Sequence, residues 1–339
     1  MDCFFVFLGN PSELFKFAYS DLDEVDNAIY IPSIYSQLNK IQYVLFRLHT
    51  MNWIKKYIQL PFKSLWAKVI FKKIPVIPPG DKTFIYVCQR GWPDYEQELH
   101  LIDYIKKRNH RARFVVFFED LFKTYHNHDY GNTCLSADFI KEKYDLAISF
   151  DQGDCNKYGF IYHPLVFSSF REPLIDMPTS DAYFLGYAKN RLLDILKTYE
   201  RLRDSGLKCD FHIAGVKPQD RAFSDEIDYE PNITYMENLQ HVAHTKCIVE
   251  IMQKGGKGYS QRAFEAIGLG KMLLTNNETI NESPFYNPSY IKTYHDPSEI
   301  TDDIIEAIKK SQFIVDYKYK DKISPINFTQ FIQSRLNID

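Results

Sequence analysis

The sequence predicts an α/β protein built from two doubly wound domains, each a parallel sheet with helices on both faces. Short apolar runs of strand length recur at Cys3–Leu8, Thr83–Cys88, Arg113–Phe118, Asp145–Phe150, Ala182–Leu185, Cys209–Ala214, Cys247–Met252 and Lys271–Thr275. They are near-continuously apolar rather than alternating, the pattern of strands buried on both faces. Helical patterns separate them. Between Asp94 and Asn109, the residues Leu99, Ile102 and Ile105 share one face. Between Asn190 and Ser205, Leu192, Leu196, Tyr199 and Leu202 do the same, and Gly206 is placed to end that helix.

A length of 339 residues suits two domains. The break falls near Tyr162–Pro178, where His163-Pro164, Glu172-Pro173 and Met177-Pro178 punctuate a stretch of poor periodicity. The first domain is expected over residues 1–165 and the second over 166–325. A final helix over 326–339 is expected to cross back to the first domain. Residues 27–80 fit the strand–helix rhythm worst and are placed as a basic helical insertion.

Hydrophobic residues make up 45% and charged residues 25%, the balance of an ordinary globular chain. A net charge of −3 gives no nucleic-acid signature. The charge is uneven, however. From Asn27 to Gly80 there is no Asp or Glu, while Lys40, Arg47, Lys55, Lys56, Lys63, Lys68, Lys72 and Lys73 all fall there. The six cysteines form no CxxC or knuckle spacing, so a reducing compartment is expected. The apolar start reads as a first strand, not a signal peptide. No apolar run approaches the ~18 residues of a spanning helix. A cytoplasmic protein is expected, placed at the inner face of the cytoplasmic membrane if it is peripheral.

Two stretches carry chemistry. In Ala182-Tyr-Phe-Leu-Gly-Tyr-Ala-Lys-Asn-Arg191 a strand meets a glycine turn and two cations at a helix start. Gly186 lets a ligand approach the backbone, and Lys189 and Arg191 add charge to the free N–H groups of a helix N-terminus. The alternative is a plain turn with surface cations. In the second stretch, Glu250 is followed by Gly255, Gly256, Lys257, Gly258, Tyr259, Ser260, Gln261, Arg262 and Glu265. It reads as strand, glycine-rich loop and helix, with Ser260 as N-cap. Arg262 and Glu265 lie on one helix face, where the cation suits phosphate and the carboxylate a ribose diol. The competing reading is an exposed ion pair of little consequence.

The block Arg262-Ala-Phe-Glu265-Ala-Ile-Gly-Leu-Gly-Lys-Met-Leu-Leu-Thr resembles the donor-binding signature of GT-B glycosyltransferases of the "group 1" type, including the spore-maturation CgeB-like branch. The turn at Gly186–Arg191 is similar to the first βα turn of their C-terminal domain, and the run from Asp145 to Gly159 is similar to their strand-to-linker segment. The resemblance spans about residues 145–280. It implies a GT-B fold, with two Rossmann-like domains facing a central cleft, and a nucleoside-diphosphate sugar as donor. It implies Glu265 at the ribose, and Ser260, Gln261 and Arg262 at the diphosphate. It also implies a role in bacterial capsule, lipopolysaccharide or exopolysaccharide assembly, with a glycan or lipid-linked acceptor. The family's E-x7-E pattern needs an acid where this chain has Lys257, which puts the sugar contact of that acid in doubt.

Strand ends in the first domain offer candidate bases: Asp94, with Glu96 behind it, Glu119 and Asp151, with Asp154 nearby. Each also suits a cap or a loop. The basic segment, over 47–75 with Trp53 and Trp66, suits an anionic membrane surface, or else a solvated face. His126, His128 and Asp129 lack a third ligand at metal spacing, so no metal and no cofactor is expected. Two rival activities stay open: sugar-nucleotide epimerisation on the same fold, and a non-catalytic module that binds a membrane or a partner.

Overall fold

The computed structural model describes residues 3–33, 38–51, 54, 57–58, 60–71, 83–89, 91–122, 135–252 and 258–338, with only the backbone of Asp94, Gln97 and Glu98. It divides into two compact units, Met1–Val166 with Pro325–Asp339, and Phe167–Ser324.

Unit 1 holds a parallel sheet in the order β2-β1-β3-β4-β5-β6. Its strands are β1 (Cys3–Leu8), β2 (Ala28–Ile31), β3 (Thr83–Cys88), β4 (Arg113–Phe118), β5 (Leu146–Ser149) and β6 (Ile161–Tyr162). Every residue of β3 is buried, as the unbroken apolar run requires. The helices described around the sheet are α1 (Glu13–Ala18), α2 (Lys40–Thr50), α3 (Leu65–Phe71), α4 (Trp92–Leu99), α5 (Leu101–Lys106), α6 (Ala137–Lys143) and α7 (Gln152–Tyr158).

Unit 2 holds a second parallel sheet in the order β11-β10-β9-β7-β8. These strands are β7 (Ser180–Tyr187), β8 (Cys209–Ala214), β9 (Thr245–Glu250), β10 (Met272–Thr275) and β11 (Ile291–Thr293). Its helices are α8 (Leu192–Asp204), α9 (Tyr235–Ala243), α10 (Gln261–Leu269) and α11 (Asp302–Lys310). The helix α12 (Pro325–Arg335) belongs to unit 1. There Phe328 is fully buried, with its ring 4.9 Å from Phe117, 6.3 Å from Phe7 and 4.4 Å from His163. Both units are Rossmann-like α/β layers, so the expected fold class holds.

Two expectations need correction. The stretch after Asp94 is two helices, not one. His100 sits in the left-handed region at φ 51° and breaks the pattern. The Glu96 carboxylate accepts the Ile102 N–H at 2.8 Å, satisfying an open donor at the start of α5. The insertion over 27–80 is not wholly helical either, because β2 opens it and pairs with β1. In that segment Trp66 is a core residue, 5.2 Å edge-on from Phe46, and not a surface aromatic. Trp53 lies outside the described residues.

Candidate functional site

In a doubly wound sheet, ligands bind beyond the carboxyl ends of the strands, where the strand order reverses. In unit 2 the chain steps from β7 out to β8 and then back past β7 to β9. The switch point therefore lies between the ends of β7 and β9, at Gly186 and at Glu250–Ile251.

Two arginines converge there. Arg191 precedes α8, after a turn that Lys189 closes at φ 44° and the Arg191 N–H closes on the Ala188 carbonyl at 3.0 Å. Its guanidinium donates to the Tyr187 carbonyl from Nε at 3.2 Å and from Nη2 at 3.1 Å. Its Nη1 reaches across the switch point to the Ile251 carbonyl. Arg262, in the first turn of α10, donates from Nη2 to the Leu185 carbonyl. A Cβ built on Gly186 would stand 3.1 Å from an Nη2 of each arginine, so the missing side chain is what admits both. Both guanidiniums also lie 5.8 Å from the Phe184 ring centre. Burial pushes the Arg191 pKa down to about 10; the Arg262 charge adds to that and Glu250 opposes it. Lys189 is exposed at the rim.

Ser260 is the N-cap of α10, accepting the Arg262 N–H at 3.1 Å. Its hydroxyl donates to one oxygen of the buried Glu250, and the Thr275 hydroxyl donates to the other. Glu250 thus fixes the strand end to the helix start. No motif in the sequence marks Glu250; its place at the end of an apolar strand is the signal that could have found it. The Asn277 amide holds the loop exit by donating to the Gly258 carbonyl at 2.7 Å. Tyr259 packs edge-on against Phe285 at 4.9 Å. Gly255, Gly256 and Lys257 lie outside the described residues.

Glu265 points inward and is 5% exposed. It accepts from the Asn238 amide at 3.3 Å and from the Tyr235 hydroxyl. Gln261 donates to that hydroxyl at 3.3 Å, and the Tyr183 hydroxyl donates to the Asn238 carbonyl oxygen at 3.0 Å. Burial raises the Glu265 pKa to about 7, against the Arg262 charge and the hydrogen bonds of Tyr235 and Asn238. Arg262 and Glu265 are therefore not an exposed ion pair: one serves the switch point and the other an enclosed polar cluster beside it. Tyr235 and Asn238, both on α9, had no motif to reveal them.

Tyr183 continues this cluster outward, its ring stacked on His241 at 5.2 Å. His241 Nδ1 lies 2.7 Å from Asp210, and His212 is clamped between Asp210 at 2.8 Å and Asp228 at 3.0 Å. Among the described residues, Asp210, His212 and His241 form one group with ligand atoms close enough to share a cation. Here those atoms face one another in hydrogen bonds. Each ring nitrogen of His212 is held by a carboxylate, and burial lowers its pKa while hydrogen bonds to Asp210 and Asp228 raise it, with a net upward shift. His126, His128 and Asp129 lie outside the described residues.

In unit 1 the candidate acids diverge. Glu119 follows β4 and accepts from the Tyr19 hydroxyl at 2.8 Å and the Gln89 amide at 3.3 Å. Its second carboxyl oxygen is buried without a hydrogen-bond partner. Burial raises its pKa to about 8, with the Tyr19 hydrogen bond opposing. Asp151 caps α7, accepting the Asp154 N–H at 2.8 Å, and Asp154 in turn accepts the Phe122 N–H at 2.6 Å. The side chain of Asp94 lies outside the described residues. A cavity of about 640 Å³ in unit 2, lined by Gly270, Met272, Tyr290 and Tyr317, adjoins the start of β10 and not the arginines.

No family model matches this chain, and no curated protein does. Solved structures do. The N-terminal domain of trehalose-6-phosphate phosphatase from Candida albicans aligns over 99% of this chain and 97% of its own, at TM-score 0.53 and 11% identity. The likeness is one of fold. UDP-N-acetylglucosamine 2-epimerase from Rickettsia bellii aligns more loosely, at TM-score 0.46 and 13% identity over 99% of this chain and 97% of that one. Spinosyn rhamnosyltransferase SpnG aligns at 0.44 and 11%, over 98% of this chain and all 100% of that one.

Proposed function

We propose that this chain is a glycosyltransferase that binds a nucleoside-diphosphate sugar in unit 2 and passes the sugar to a glycan or lipid-linked acceptor. The assembly of bacterial surface polysaccharide is the setting implied by the family resemblance. The observation that carries the reading is the pair of guanidiniums over Gly186 at the switch point. They are held there by carbonyl oxygens, with Glu250 nearby as a partial counter-charge. Fixed cations in a partly dry crevice suit a diphosphate, whose charge grows as the glycosidic bond breaks. Arg191 and Arg262 then stabilise the leaving group, and Lys189 adds charge at the rim. Glu265 as a carboxylate accepts from ribose hydroxyls, with Tyr235 and Asn238 orienting it. Ser260, Gln261 and Tyr259 shape the start of α10. The arginines supply the positive charge that a metal provides elsewhere. For an inverting transfer, Glu119 is the base we favour in unit 1, since Asp151 is engaged as a cap.

A thermal-shift series with UDP, GDP, dTDP and CMP sugars tests the reading. One nucleotide should raise the melting temperature of the wild-type chain. Arg262→Ala and Glu265→Ala should stay folded and bind that nucleotide about tenfold or more weakly, as the loss of a charged contact implies. Unchanged affinity in both variants would remove the site from unit 2.

A further inference from the structure

We infer that unit 1 carries a membrane-contact face, built on α2 and on Ile58, Phe62 and Leu65 ahead of and at the start of α3, which docks on an anionic lipid surface. The inference stands apart from the transfer reading.

The helix α2 is amphipathic in the wrong sense for a core helix. At spacings of three, four and seven residues, Ile41, Val44, Leu45 and Leu48 line one face and are 73, 56, 49 and 39% exposed. On the inward side Phe46 is fully buried against Trp66 and Tyr95. The Trp66 indole N–H also donates to His49 Nδ1 at 2.5 Å, so α2 is tied to α3 through its other face. The segment leading into α3 adds Ile58, Phe62 and Leu65, all exposed. A run of large apolar side chains in water around one small pair of helices is more than scattered surface hydrophobes.

Charge selects the occupant. The segment from Asn27 to Gly80 has eight Lys and Arg and no acid. In the chain Lys40 precedes Ile41, Lys63 follows Phe62, and Lys68 comes three residues after Leu65 in α3; Lys40 and Lys68 are exposed. A second copy of this chain would bring the same positive field to the contact and be repelled. An acidic headgroup layer over an apolar interior meets both features: basic residues pair with lipid phosphate while the stripe enters the acyl boundary. The face begins at Lys40, and Trp66 anchors it from within.

Sedimentation of the full-length chain with vesicles tests this. Vesicles of phosphatidylcholine with about one third phosphatidylglycerol should bind the chain at least about tenfold better than phosphatidylcholine alone, and high salt should weaken that binding. Val44→Asp with Leu48→Asp, at exposed positions, should leave the melting temperature unchanged and lower vesicle binding by about tenfold or more. Lys40→Glu with Lys68→Glu should lower binding to the anionic vesicles only. Equal binding to both vesicle types, or wild-type binding by the Val44/Leu48 variant, overturns the inference. So does a chain that ignores vesicles but forms dimers that those substitutions dissociate.

Discussion

A methyl group on Gly186 would meet Nη2 of Arg191 and of Arg262 at 3.1 Å and the Phe184 ring at 3.3 Å. Neither guanidinium can swing away freely, because carbonyl oxygens of Tyr187, Ile251 and Leu185 hold them. Gly186→Ala should therefore keep the fold but displace the cations, weakening nucleotide binding by about tenfold, near 1.4 kcal/mol. Calorimetric titration checks it, and wild-type affinity would mean that the arginines do not meet the phosphates. Glu265 makes a second residue-scale case. Its pKa near 7 lies above the unfolded value, so the folded ligand-free chain holds the extra proton. Its contribution to stability is full below the ordinary Glu range and is lost as pH rises through 7. Ribose binding needs the carboxylate and so runs the other way. Nucleotide affinity should rise from pH 6 to 8, and Glu265→Gln should flatten that rise; equal slopes in both proteins would refute the assignment.

At the scale of elements, the Asp210–His212–His241 network ties β8 to α9 and, through Asp228, to the loop after β8. The two carboxylates raise the His212 pKa although burial opposes them, and hydrogen bonds to the two histidines take Asp210 well below the usual carboxylate range despite burial. The Asp210 contribution is present above the ordinary Asp pKa and fails as pH falls. That of His212 is full below the ordinary His pKa and fails as pH rises through its folded value. The network thus stabilises most from about pH 4 to 6.5. His212→Gln should cost roughly 1–2 kcal/mol at pH 6 and clearly less at pH 9, as urea unfolding at the two pH values would show. A constant difference would mean that His212 acts by packing alone.

Elements also show what the sequence could and could not disclose. The runs at β1, β3 and β4 match their strands end to end, because central strands buried on both faces need a near-unbroken apolar run; β8, an edge strand, also matches end to end, its six residues being long enough to read although Asp210 and His212 interrupt them. The strands that escaped notice, β2, β6 and β11, are all sheet edges, two to four residues long. Too few positions are left there for a pattern to form. The site divides the same way. Gly186, Arg191, Ser260, Arg262 and Glu265 stood out locally as turn and cap chemistry. The carbonyls that aim the arginines, and Tyr235 and Asn238 around Glu265, join only when β7, α9, β9 and α10 come together.

For the whole molecule, the division of the chain sets a test that separates folding from binding. Residues 325–339 belong with residues 1–166, while the switch-point site lies wholly in Phe167–Ser324. Phe328 of α12 is fully buried among Phe7, Phe117 and His163. His163 is itself held neutral there, its pKa pushed down to about 4 by burial against the pull of the Pro164 carbonyl. Phe328→Ala should therefore destabilise unit 1 by roughly 3–5 kcal/mol, through lost burial and the void left behind. It should also admit water to His163 and raise its pKa toward the ordinary value, which proton NMR of the imidazole would follow. Nucleotide affinity measured well below the melting point should stay at the wild-type level, since the residues around Gly186 all belong to unit 2 and α12 to unit 1. Hydrogen exchange should rise in β1, β4 and β6 and stay unchanged in β7 and β9. Exchange rising equally in both sheets, or nucleotide binding lost along with unit 1 stability, would show that the two units fold as one and that the site depends on both.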